Sequence, residues 1–98
     1  MTYAFELIKQ PNQQFNTNIN GLNFEFRFRS FRVSTYADAS INGELVVAGV
    51  KCVANVSLFS HSVNSLAGGI FMFECSDDVE PIYQNFGTPA CVFILRQE

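Results

Sequence analysis

The side chains that could support catalysis are few in this sequence. His61 is the single histidine and lies in the polar segment Ser60-His61-Ser62. A histidine can act as the general base for a serine or cysteine nucleophile, usually with a third group that orients its ring. No carboxylate lies close to His61 along the chain, and nothing in the sequence brings a cysteine to it. We therefore predict an exposed loop position for His61 and a protein that is not an enzyme.

Acidic side chains are concentrated in one short stretch, which contains Glu74, Asp77, Asp78 and Glu80. Carboxylates bind calcium or hydrolyse glycosides only when their oxygens converge on one point. The spacing fits no calcium-binding loop, so a solvated acidic turn is the expected structure. The pair Gly68-Gly69 is a turn signal and lacks the other residues of a phosphate-binding loop. The sequence therefore predicts neither a metal site nor a cofactor.

Aromatic and basic residues alternate over residues 24–32, in the run FEFRFRSFR. Such a run can bind single-stranded nucleic acid when the rings and the charges share one open face. In a strand, however, successive side chains point to opposite faces. The phenylalanines at even positions then share one face, while Arg27 and Arg29 lie on the other. The pattern indicates core phenylalanines and no nucleic-acid specificity.

The arginines and the acidic turn have opposite charges, which bears on assembly. Three arginines fall within six positions, and the acidic turn follows much later in the chain. Opposite charges at separate places on a subunit can meet across a head-to-tail contact between copies. Both groups fit ordinary solvated surface equally well. The candidate interface residues are Arg27, Arg29, Arg32, Asp77, Asp78 and Glu80.

The composition favours β-strands as the elements that position these side chains. Phenylalanine accounts for 11 of 98 residues, and no window shows a clean helical period. The pair Asn20-Gly21 is preferred in a two-residue type I′ turn, here between residues 13–19 and 22–29. The register of that hairpin pairs Phe15 with Phe26 and gathers the aromatic side chains on one face.

A second hairpin is predicted by Asn42-Gly43, between residues 32–41 and 44–48, with Ala39 opposite Val46. Gly49 after it indicates a bulge or bend. The remaining strands are expected at residues 2–9, 51–60, 70–75 and 90–95, with an ambiguous segment at 82–86. A polar loop at residues 61–69 and the acidic turn at residues 76–81 separate them.

Seven or eight short antiparallel strands predict an all-β fold, either a sandwich or a partly closed barrel. The length fits one small domain over residues 1–98. Residues 1–10 form either an edge strand of that domain or an arm that pairs with the sheet edge of a neighbouring subunit.

Composition and cysteine spacing limit the classes of protein further. Hydrophobic residues make up 48% and charged residues 15%, below the roughly 25% of typical domains, which indicates apolar surface covered by other subunits. No apolar run approaches the ~20 residues of a membrane-spanning helix, and no signal peptide is visible. Cys52, Cys75 and Cys91 show no Cys-x-x-Cys spacing, so we expect reduced core cysteines in a protein made in the cytoplasm.

A series of motifs runs through the chain in a characteristic order. It comprises PNQQF at 11–15, NG at 20–21, INGELVVAGV at 41–50, NVSL at 55–58, GGI at 68–70, SDDVEP at 76–81 and YQNFGT at 83–88. The order and spacing, from about Pro11 to Leu95, resemble the small baseplate plug proteins of contractile-tailed bacteriophages. That family is named after a cyanophage baseplate plug.

The resemblance implies a non-enzymatic structural protein of the tail baseplate hub, which plugs or scaffolds the distal end of the tail tube. It implies baseplate hub, tail tube and central spike subunits as partners, with several copies around the tail axis. It also implies a location in the virion after synthesis in the host cytoplasm. Two alternatives stay open: a small β-barrel that binds an apolar ligand among its phenylalanines, and an enzyme built on His61 and a cysteine.

Overall fold

Residues 2–97, which the computed structural model describes, form two antiparallel sheets and one short helix. The strands are β1 (Thr2–Phe5), β2 (Asn12–Ile19), β3 (Leu22–Phe31), β4 (Ser34–Ile41), β5 (Glu44–Lys51), β6 (Gly69–Cys75) and β7 (Cys91–Gln97). The helix α1 spans His61–Ala67, and Tyr83–Asn85 forms a 3₁₀ turn. One sheet has the order β2-β3-β4-β5, and the other has the order β1-β7-β6.

This strand-rich, antiparallel architecture confirms the predicted fold class, and the two sheets do not close into a barrel. The predicted domain ends, Met1 and Glu98, lie outside the described residues. Among residues 2–97, no helix is long and apolar enough to cross a membrane.

The first hairpin has the predicted register. Ile19 pairs with Leu22 across the turn, and Phe15 pairs with Phe26. Asn20 and Gly21 have φ values of 54° and 79°, as a type I′ turn requires at both central positions. The even-numbered phenylalanines of β3 are buried, because the alternation of the strand turns all of them towards the other sheet.

The second hairpin forms at the predicted turn, but its register departs from the prediction. Ile41 pairs with Glu44 as expected, whereas Ala39 lies opposite Val47 instead of Val46. Two register shifts interrupt this strand pair, and β5 continues to Lys51, beyond the predicted end at residue 48. The bulge expected near Gly49 is present, since Gly49 has a φ of 69° within the irregular part of β5.

The sequence predicts a strand that begins at Arg32, and this prediction is wrong because β4 begins at Ser34. Phe31 pairs with Ser34, so Arg32 and Val33 are the two central residues of a tight turn between β3 and β4. Arg32 has a φ of 61°, a conformation that side chains other than glycine and asparagine seldom adopt. This turn has the sequence Arg-Val, whereas the turns of the other two hairpins have the sequence Asn-Gly.

The second sheet is centred on β7, which pairs with β1 on one side and β6 on the other. The residues of β7 are apolar on both faces of the strand, as is typical of a central strand, and β7 is the central strand of this sheet. The strand expected at residues 2–9 ends at Phe5. Beyond it, the Gln13 side chain accepts a hydrogen bond from the Ile8 N–H at 3.0 Å and donates one to the Ile8 carbonyl at 2.8 Å. These bonds take the place of a continued strand ladder.

Residues 52–60 do not form the predicted strand. The segment follows the free edge of β6 with widely spaced backbone bonds, in which Asn55 and Leu58 donate to the carbonyls of Phe73 and Phe71 at 2.7 and 2.8 Å. The Asn55 side chain also bonds both backbone groups of Cys75, at 3.0 and 3.1 Å. A positive φ of 61° at Asn55 turns the chain and prevents a regular ladder.

The polar loop predicted at residues 61–69 is instead the helix α1. Val63 and Ala67, one turn apart, are the buried side chains of this helix, and Gly68 ends it with a φ of 70°. Two turns are too few for a helical period to stand out in the sequence. The ambiguous segment at residues 82–86 contains the 3₁₀ turn.

The expectation of three reduced cysteines is also wrong, because Cys75 and Cys91 form a disulfide. These residues pair at the last position of the β6–β7 ladder, with Cα atoms 4.1 Å apart. Their spacing in the sequence carries no sign of this, since the register of the two strands brings them together. Cys52 remains free and buried. Cysteine usage therefore no longer supports the expected reducing compartment.

Phenylalanine rings fill the space between the two sheets. Phe26 on β3 lies 5.0 Å from Phe71 on β6 and 5.4 Å from Phe93 on β7, measured between ring centroids. Phe59, from the segment before α1, stacks on Phe26 at 5.8 Å. These edge-on and stacked contacts are the arrangements that aromatic rings favour. The rings fill the interior in which a ligand-binding β-barrel would hold its apolar ligand.

Candidate interaction surface

Two of the three candidate arginines, Arg27 and Arg29, lie on the outer face of β3. Arg29 forms an ion pair with Asp38 of β4, with 3.0 Å between Nη2 and Oδ1. The Arg27 Nε donates to the Gln14 side chain at 3.2 Å and has no carboxylate partner within residues 2–97. The phenylalanines between these arginines are buried, so rings and charges do not share an open face. The stacking platform that single-stranded nucleic acid needs is not formed by this run.

The third arginine, Arg32, belongs to a turn that we call the basic tip (residues 31–33). Phe31 and Val33 are 65% and 79% exposed, more than any other large apolar side chain that the structure describes. The guanidinium carbon of Arg32 lies 5.4 Å from the centroid of the Phe31 ring, within the range of a cation–π contact. No carboxylate of the described chain pairs with Arg32. The tip therefore presents one charge and two apolar side chains together.

The acidic turn (residues 76–81) follows β6. Asp77, Asp78 and Glu80 are exposed, and Asp78 turns the chain with a φ of 63°. The backbone of this turn is held by the Ser76 N–H, which donates to the Ala90 carbonyl at 2.8 Å. The three carboxylates make no ion pair with any residue of the 2–97 region. They are free to face a cationic group on another molecule.

The candidate arginines and the acidic turn do not pair with each other within one chain. The ion pairs formed between residues 2 and 97 are Arg29–Asp38 and Arg96–Glu74. A role of the six predicted interface residues in contacts between subunits stays a prediction.

An open pocket of about 300 Å³ lies where β1 leaves the sheet and residues 87–89 approach β7. We call it the Glu6 pocket. Its lining is mainly apolar and includes Phe5, Glu6, Leu7, Pro89, Val92 and Phe93. The close packing of this region shows at Gly87, where an added Cβ would come 2.8 Å from the Leu7 carbonyl oxygen. Glu6 is exposed and has no cationic partner in the described part of the chain. The pocket is thus apolar with a free carboxylate at its border.

The residues that raised the possibility of catalysis are not arranged for it. His61 is exposed at the start of α1 and borders an open cavity of about 530 Å³, whose lining contains no cysteine. Burial raises the pKa of the Cys52 thiol from 9.0 to about 12, whereas a cysteine nucleophile needs a lowered pKa. The other two cysteines are joined in the disulfide. This arrangement argues against an enzyme built on His61 and a cysteine.

Arg32 could be identified as a candidate from the sequence, whereas the exposed apolar residues beside it could not. The exposure of Phe31 and Val33 follows from the two-residue turn, which carries no glycine or asparagine signal. The Glu6 pocket joins residues about eighty positions apart, so only the fold brings them together. Residues 90–95 are apolar on both faces of the strand, and this pattern does not indicate that a pocket opens beside β7.

The family described as "Cyanophage baseplate Pam3 plug gp18" matches residues 2–97. No curated protein matches the chain.

Proposed function

Because the chain belongs to the cyanophage baseplate plug family, we propose that it closes the distal end of the tail tube, in the hub between tube and central spike. Membership of the family implies a structural role and a location in the virion baseplate. The proposed position between tube and spike goes beyond what membership of the family implies. We also propose that the chain is made in the host cytoplasm before it is assembled into the baseplate.

The observation that carries this proposal is the extent of the family match. Residues 2–97 include every strand of both sheets, the helix and the acidic turn, so the likeness covers the complete described fold. A role in assembly also suits the surface. Several large apolar side chains are exposed on it, and such side chains are commonly covered by partner proteins.

We propose that the partners are baseplate hub, tail tube and spike subunits, and that several copies surround the tail axis. The candidate contacts are the outer face of β3, with Arg27 and Arg29, the basic tip with Arg32, and the acidic turn. Charges of this kind steer association and fix the orientation of partners more than they add affinity. Arg29 is the weakest of the candidates, because Asp38 already neutralises it.

Co-expression with the tube, hub and spike proteins of the same phage tests the proposal. A tagged full-length chain should co-purify with at least one of them in a fixed ratio, measured by native mass spectrometry. Replacement of Asp77 and Asp78 by lysine should weaken that complex, whereas Glu44→Lys on β5 is the control away from the acidic turn. Purification of the chain without any of the three proteins would contradict the proposal.

A further inference from the structure

The basic tip has the composition of a docking element. Phe31 and Val33 expose most of their apolar surface at the end of a hairpin, and Arg32 holds its guanidinium against the Phe31 ring. The neighbouring backbone is fixed, since the Ser30 N–H donates to the Pro11 carbonyl at 2.7 Å and the Ser30 and Thr35 hydroxyls lie 2.9 Å apart. An aromatic side chain on a rigid turn loses little conformational entropy when it binds. Aromatic and arginine side chains are also the ones that contribute most to interface energies.

The Glu6 pocket has the complementary properties. Its volume of about 300 Å³ suits one or two side chains, and the apolar residues of its lining that are open to solvent include Ala4, Pro89 and Val92. The free carboxylate of Glu6 stands at its border. The acidic turn is attached to the same region through the Ser76–Ala90 hydrogen bond, which adds negative charge beyond the pocket. A cationic, aromatic group is therefore the ligand that this pocket fits.

We propose that the basic tip of one copy of this chain docks into the Glu6 pocket of a second copy. Phe31 enters the apolar part of the pocket, and Arg32 pairs with Glu6. The occupant is a second copy because both halves of the contact are present on this chain, with opposite charges that lack partners within residues 2–97. Contacts of this kind between unlike surfaces of identical subunits can be repeated from copy to copy.

This inference rests on the multi-copy part of the proposed function and names the contact that would join the copies. Other exposed apolar side chains fit the contact less well. Leu45 and Val46 lie on β5, whose pairing with β4 is broken by two register shifts, and bulged edges of this kind oppose strand pairing between subunits. Val53 and Val56 are exposed, but the cation–π contact found among the described residues is that of Arg32 with Phe31 in the tip.

Charge reversal tests the contact with the full-length chain. In sedimentation velocity over a range of concentrations, the unaltered chain should self-associate. Arg32→Glu and Glu6→Arg should each weaken association by about tenfold, because each places like charges opposite one another. The double variant Arg32→Glu/Glu6→Arg restores opposite charges and should recover association. An equimolar mixture of the two single variants should recover it as well.

Matched controls separate this contact from a general effect of charge. Lys51→Glu and Glu44→Arg produce the same changes of net charge on exposed positions of β5 and should leave association unchanged. Phe31→Ser should weaken association by about tenfold or more, while Val56→Ser, at a site that is 52% exposed, should not. Thermal unfolding followed by circular dichroism confirms that each variant is folded.

A monomeric chain at every concentration would overturn the inference, as would a double variant that associates no better than the single ones. Neither result would remove the proposed baseplate role, which is tested by co-purification with tube, hub and spike subunits. Conversely, self-association through the tip without binding to those subunits would support the contact and contradict the baseplate position.

Discussion

The carboxylate of Asp38 accepts a hydrogen bond from the Gly49 N–H at 2.7 Å, at the point where β5 bulges away from a regular ladder. The same oxygen pairs with Arg29 at 3.0 Å. Asp38 thus joins a candidate interface arginine to the irregular edge of its sheet. Its side chain thus provides an acceptor for a backbone N–H in the part of β5 where the register with β4 shifts.

We predict that Asp38→Ala lowers the free energy of unfolding by about 2 kcal/mol, because hydrogen bonds to charged groups are among the stronger ones. Arg29→Ala removes only the exposed ion pair and should lower the free energy by about 0.5 kcal/mol. Urea unfolding of both variants measures the difference. Equal losses would show that the bond to Gly49 contributes little.

The disulfide between Cys75 and Cys91 gives a second prediction. The two residues are separated by 16 positions, and a closed loop of that size is associated with about 3 kcal/mol of stabilisation. Cys75→Ser/Cys91→Ser should therefore unfold at lower urea concentration than the unaltered chain. A thiol assay on denatured, unreduced protein should find one thiol per chain. Three thiols in protein purified under air would show that the bond does not form.

A third prediction concerns Cys52, the free cysteine. Burial raises the pKa of its thiol from 9.0 to about 12, so at pH 8 the folded protein should react with iodoacetamide about a thousandfold more slowly than the unfolded protein. Because the pKa is raised on folding, this thiol stabilises the fold fully below about pH 9, and the contribution falls as the pH rises towards 12. Cys52→Ala should reduce the loss of stability over that pH window. Rapid alkylation of the native protein would contradict this account.

Asn55 provides a fourth prediction. Its side chain bonds both backbone groups of Cys75, and its φ is 61°. Asn55→Ala should lower the free energy of unfolding by about 2–3 kcal/mol, because it removes both bonds and adds strain at a positive φ. Asn55→Gly removes the bonds but tolerates the φ value, so it should lose less. If alanine and glycine destabilise equally, backbone strain at this position is unimportant.

A feature of this fold could be predicted where the residues that determine it are adjacent in sequence. The turns at Asn20-Gly21 and Asn42-Gly43 could be predicted, since the residues that require a positive φ are adjacent in sequence. The irregular structure of residues 52–60 could not be predicted, because the apolar residues of this segment alternate as in a strand. These residues are Cys52, Ala54, Val56 and Leu58. The backbone bonds of the segment depend on β6, which lies later in the chain and offers only scattered partners.

The candidate surface was predictable to a smaller extent. Arg32 could be selected from charge grouping alone, but its position in a turn depends on the pairing of Phe31 with Ser34. The disulfide and the Glu6 pocket both result from strand register and from contacts between distant segments. Such contacts leave no periodic or spacing signal in a single sequence.

The central claim is that this chain is a structural component of a phage baseplate. Quantitative mass spectrometry of purified tailed particles, and of baseplates isolated from them, tests it most directly. The chain should be present in both samples at several copies per tail, in constant ratio to the spike protein. A chain that is abundant in the lysate of the producing cells but absent from the purified particles would contradict the claim.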